Sequence, residues 1–144
     1  MELKPVAPAA KGPASRFVGD VYSTAIAGRE EPSPLIAAVV RFVPGARTHW
    51  HSHALGQTLY VTEGVGLVGT RDGEVVCVRA GDTVYAPPGE EHWHGATAGD
   101  VMCHVAMVVR DGDAPDTTWL EAVSDEEFQA ANEAVAPSRV DAVR

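Results

Sequence analysis

Residues 45–64 read GARTHWHSHALGQTLYVTEG. They hold three of the six histidines, His49, His51 and His53, followed by Gln57, in an otherwise largely apolar surrounding. Along a strand, residues i and i+2 point to the same face, so His51 and His53 share one. Gln57 has the same parity and can return to that face across a tight bend at Leu55 and Gly56. A second cluster, Glu90-Glu91-His92-Trp93-His94, repeats the pattern one hairpin and one strand later. A single His-x-His would read as a histidine-rich surface edge. Two such pairs on strands separated by hairpins predict instead that the clusters meet around one metal ion, because neutral imidazoles and an amide oxygen suit first-row divalent metals.

Outward from this centre the chain reads as β. Residues 35–43 (LIAAVVRFV) are a strand candidate ended by the Pro44-Gly45 turn, residues 48–53 a short strand, and residues 57–62 its continuation after Gly56. Gly64, Gly66 and Gly69 punctuate the next strand, as glycines do at barrel corners. Arg71-Asp72-Gly73-Glu74 predicts a two-residue hairpin of type I′. Residues 75–79, 83–86 and 101–110 complete the strands, with a loop at 111–116. Ser124-Asp125-Glu126-Glu127 is a capping box, predicting a short helix to about Glu133 and a frayed tail over 137–144. Many short strands with one helix at the end predict an all-β fold, a β-barrel or jelly roll. The chain divides into an N-terminal arm and edge strand (1–34), a barrel (35–123), and a C-terminal helix and tail (124–144).

At 144 residues the chain has room for one core. Fourteen Gly and ten Pro favour turn-rich β structure over a helix bundle. A net charge of −9 argues against nucleic acid or an anionic membrane as partner and reads as no more than an acidic, soluble surface. Cys77 and Cys103 lie in apolar runs and read as buried free thiols. Residues 1–15 are polar, without the apolar core of a signal peptide, which predicts a cytoplasmic protein.

The spacing Gly45-x5-His51-x-His53-x3-Gln57-x6-Gly64 resembles the first motif of the cupins, with Gln57 where that motif has glutamate. Gly81-x5-Pro87-x-Gly89-x2-His92 resembles the second, whose usual closing asparagine falls at Ala96. The resemblance spans residues 35–110. It implies a double-stranded β-helix with a metal in its mouth, held by His51, His53, Gln57 and His92. Gln57 leaves the ligand set neutral, so a divalent ion there is a stronger Lewis acid and is less readily oxidised.

The longer pattern GARTxWHxHxLGQTLxVTxG, followed by PGExHWHGA, is similar to the small bacterial manganese cupins with hydroxynitrile lyase activity. That similarity implies Mn2+ as the metal, with Fe2+, Ni2+ and Zn2+ as alternatives. It implies His94 as the acid/base, with Thr48 and His104 in the pocket. Strand parity alone would turn His49 inward, so Thr48 needs an irregularity near Trp50, and His49 is then expected to be exposed. His104 reads equally as a core histidine, since Met102, Ala106 and Val108 share its face. Val108 is apolar where some of these lyases carry a polar residue. Trp93 is expected to face away from the metal and pack, Glu90 and Glu91 to be solvated, and Arg41 and Arg47 to lie at the surface. The expected function is a metal-dependent lyase on a small hydroxy or carbonyl compound. A cupin dioxygenase or a non-catalytic ligand-binding cupin is the alternative. Cupins of this type commonly assemble, which implies a homodimer or homotetramer.

Overall fold

The computed structural model describes residues 1–28 and 30–141. The N-terminal segment supplies β1 (Ala10–Lys11), β2 (Phe17–Val18) and β3 (Val21–Ala27). Then come β4 (Leu35–Phe42), β5 (Arg47–Thr48), β6 (His51–His53), the long β7 (Gln57–Thr70), β8 (Val75–Arg79) and β9 (Thr83–Ala86). They are followed by β10 (His92–Ala96), β11 (Met102–Val109), β12 (Thr117–Trp119) and the helix α1 (Asp125–Asp141).

All pairings are antiparallel, and β7 serves two sheets. Its first half pairs with β11 and β9, in a sheet ordered β1-β3-β4-β11-β7-β9. Its second half pairs with β8 and β10, and the far edge of β10 carries both β5 and β6. β2 then adds to β5, and β12 to β6. The corner falls at Gly64, at φ +79°, where a Cβ would run into the carbonyl oxygen of Val101. Only glycine meets both conditions cheaply.

One core lies between the sheets, built on Val21, Phe42, Leu59, Val61 and Met102. A second lies outside the β10 face, where α1 lays Phe128, Ala131 and Val135 against Trp93, Trp50 and Leu67. Their spacing of three and four residues makes one helical stripe. Trp93 packs as expected, its ring 6.1 Å from Phe128. The capping box closes both ways: the Glu127 N–H donates to Ser124 Oγ at 3.1 Å, and the Ser124 N–H donates to Glu127 Oε2 at 2.8 Å.

Several local expectations are corrected. The expected strand over 48–53 is broken at His49 and Trp50. There the His49 N–H donates to the Arg16 carbonyl, the Trp50 N–H to that of Glu121, and Trp50's carbonyl accepts from Leu120. Burying the Trp50 ring in the outer core draws the chain out of the ladder. The turn after β7 is not type I′: of its residues only Gly73 has positive φ, at +89°. The Gly73 N–H donates to the Thr70 carbonyl and the Thr70 N–H to that of Glu74, a three-residue loop with glycine in the left-handed position. The helix runs on to Asp141 rather than ending near Glu133, because alanines at 130, 131, 134 and 136 and the buried Val135 carry it past Pro137. Residues 142–144 of the expected tail lie outside the described residues.

Candidate metal centre and active site

The two histidine clusters meet through β6 and β10, in the register His92 opposite His51. His51, His53 and His92 are all buried, and one ligand atom from each lies within 4.8 Å of the others. Each ring is oriented from behind. His51 Nδ1 donates to the His49 carbonyl at 2.9 Å, and His92 Nδ1 to the Glu90 carbonyl at 3.0 Å. His53 Nδ1 lies 3.1 Å from Thr117 Oγ1. Such partners fix the tautomer and leave the Nε2 lone pairs for a metal. Gln57, returned to this face by the bend at Gly56, places Oε1 3.0 Å from His92 Nε2 and lines the same cavity as His51 and His53.

A metal fits this donor set. With Nδ1 of His92 donating to a carbonyl, its Nε2 and the Gln57 oxygen both present lone pairs to each other, an arrangement a shared cation stabilises. His53 Nε2 is buried without a hydrogen-bond partner. Burial, then the neighbouring His92, pushes His51 well below its ordinary value and His53 down to about 4; burial lowers His92 as well. Neutral imidazole is the form that ligates.

A cavity of about 190 Å³ opens beside the cluster. Its polar side is made by Thr48, His51, His53, Gln57, His94 and His104, with Asp116 and Thr117 beside them. Opposite lie Ile36, Ala38 and Val40 of β4 and Ala106 and Val108 of β11, with Phe17 and Trp119. A ligand of this site therefore has a small polar head and an apolar remainder. His94 lies on the face of His92, ring centroids 5.7 Å apart. Its Nδ1 is 3.0 Å from His104 Nε2, while its own Nε2 is buried and unpartnered. Burial, then His104, holds His94 well below the ordinary histidine range, and burial holds His104 at about 4.

Thr48 lines the cavity because of the break after β5 that the sequence required, and its Oγ1 accepts the His94 backbone N–H at 3.1 Å. His104 packs 5.3 Å from the Phe42 ring, and its Nε2 lies 3.0 Å from His94 Nδ1. His49 is half-buried rather than exposed, and its contribution is the carbonyl that orients His51. Arg41 is at the surface with Glu63, as expected. Arg47 is not: it is 4% exposed, its guanidinium donating to the Val123 and Gly45 carbonyls and to Asp125 and stacked on Phe128. It ties β5 to the start of α1. Glu91 pairs with Arg71, and Glu90 serves through its carbonyl. Sequence reading passed over Phe17, Asp116 and Trp119; they come from segments distant in the chain, and no spacing links them to the histidines.

Residues 38–109 match the family described as Cupin domain. The chain is 45% identical over 132 residues to an (R)-mandelonitrile lyase of Granulicella tundricola, covering 90% of this chain and 99% of that protein. It superimposes with a TM-score of 0.83 on a cupin-like protein of Thermotoga maritima, at 34% identity, covering 92% of this chain and 98% of the other. A cupin-2 domain protein of Rhodospirillum rubrum shares the fold at TM-score 0.66 and 18% identity, covering 98% and 92%.

Proposed function

The chain belongs to the cupin family, and from that premise we propose that it is a metal-dependent lyase of the hydroxynitrile lyase type, cleaving and forming small cyanohydrins. The carrying observation is His94. The residue lines the same cavity as His51 and His53, its Nε2 is buried and unpartnered, and its Nδ1 is tied to His104. The similarity to a mandelonitrile lyase supports the reaction class.

A divalent ion held by His51, His53, Gln57 and His92, for which Mn2+ is our first choice over Fe2+, Ni2+ or Zn2+, would supply Lewis acidity toward a hydroxyl oxygen. The remaining work falls to the chain's side chains. When His94 Nδ1–H donates to His104 Nε2, His94 Nε2 is an acceptor, placed to take the hydroxyl proton. The carbon–carbon bond then breaks to give aldehyde and cyanide, and the same Nε2–H returns the proton to cyanide, which leaves as HCN. Synthesis runs the steps in reverse. Thr48 fixes the backbone of His94, and the apolar wall of β4 and β11 takes the substrate's side chain. A ligand cluster with no carboxylate favours this chemistry over a dioxygenase.

Two free thiols support a reducing compartment such as the cytoplasm. Exposed Tyr22, Leu35, Tyr60, Tyr85 and Val109 on the outer strands support assembly into a homodimer or a tetramer of dimers. The test of the activity is chelation followed by reconstitution with Mn2+, Fe2+, Ni2+ or Zn2+, assaying mandelonitrile cleavage. Activity lost on chelation and restored by a divalent metal is expected. Equal cleavage by the metal-free chain would refute the reading.

A further inference from the structure

The four groups that converge at the centre are all neutral, so nothing among them balances a divalent cation. Among the described residues, one carboxylate lines the cavity: Asp116, in the loop that leads into β12. The position is built rather than incidental. Thr117 stands opposite His53 in the β12–β6 ladder, and the Asp116 carbonyl accepts the Ala54 N–H at 3.3 Å and also contacts the His53 ring. Asp116 is half-buried and joins no ion pair among the described residues, whereas Glu91 and Glu121 pair with Arg71, and Glu63 with Arg41. A half-buried carboxylate without a cation partner is partly desolvated with no compensation.

We propose that Asp116 is the counter-charge of the metal centre: it raises divalent-cation affinity from outside the ligand shell, through its charge rather than by coordination. The proposal rests on the metal-binding reading above. A neutral ligand set keeps the bound ion strongly Lewis-acidic, and a carboxylate held at a distance restores affinity without donating electrons to the metal. The field of one negative charge on a divalent ion falls slowly with distance inside a poorly solvated cavity.

The test is Mn2+ binding to the metal-free chain by chelator competition, for the wild type, Asp116→Asn and Asp116→Glu, at low and high salt. Asp116→Asn is expected to weaken binding about tenfold at low salt, with the deficit shrinking as salt rises. Asp116→Glu should stay within about threefold of wild type, because the charge is kept. The thermal midpoint of the metal-free Asp116→Asn chain should match wild type, which separates a charge effect from a damaged loop. Asp116→Asn binding within twofold of wild type overturns the proposal. So does an equal loss in Asp116→Glu, which makes the requirement geometric. A wild-type chain that takes up no divalent metal overturns the metal reading itself, an outcome distinct from the other two.

Discussion

Thr48→Val removes one oxygen at nearly constant volume and so isolates what that oxygen does. In β10 the Ala96 N–H donates to the Ala46 carbonyl on β10's far edge. His94, two residues earlier, points its N–H the same way. The carbonyl that would meet it is missing, because the chain leaves the ladder at His49 and Trp50, and Thr48 Oγ1 stands in at 3.1 Å. Thr48 is 1% exposed, so no water replaces the lost acceptor. Leaving a buried N–H unsatisfied costs about 1–3 kcal/mol. For a domain near 150 residues, at about 2–4 °C per kcal/mol, that lowers the thermal midpoint by roughly 2–12 °C. Thr48→Ser keeps the oxygen and should lose less than about half of that. Calorimetry on the three metal-free chains gives the stability comparison, and mandelonitrile turnover on the metal-loaded chains shows whether His94 has lost its position. A Thr48→Val chain that melts with wild type would refute the role assigned to the hydroxyl.

Gln57→Glu adds an anionic ligand, so metal affinity should rise and lyase turnover fall; faster turnover would count against the neutral-ligand argument. In the metal-free chain, His94 and His104 are held below the ordinary histidine value of 6.5, His104 at about 4. The unfolded chain therefore binds protons first on acidification. Stability from these groups is fully present above about pH 6.5 and lost as pH falls toward about 4, so the urea midpoint should be lower at about pH 5 than at about pH 7.5; a higher midpoint at the lower pH would contradict the burial of neutral rings. Light scattering at micromolar concentration should give a dimer or tetramer mass, and a monomer mass would remove the assembly proposal.

Much of the centre was legible because it is local. His51, His53, His92 and His94 announce themselves by i, i+2 spacing, and Gly56 by its place before Gln57. Ser124 and Glu127 are similarly self-contained, and the cap forms as the four-residue pattern implies. What escaped is decided by tertiary contact. Arg47 looks like any surface arginine until α1 docks and Val123 and Asp125 surround its guanidinium. The irregularity that Thr48 required near Trp50 could be anticipated, but not its cause, the hydrogen bonds to Glu121 and Leu120 some seventy residues away. Asp116 carries no mark in a loop of aspartates and reaches the cavity only because β12 pairs with β6. Gly73 shows the limit of turn chemistry: Asp-Gly permits two turn types, and the register between β7 and β8 selected one.

His94→Ala, with metal content and mandelonitrile turnover measured on one preparation, tests the proposed mechanism most directly. The ring stands beside the ligand cluster, tied to His104 and outside the group of three histidines that can hold the ion. Its removal should leave the metal in place and slow turnover on the order of a hundredfold or more. Retained metal with unchanged turnover would contradict the assignment of His94 as the acid/base.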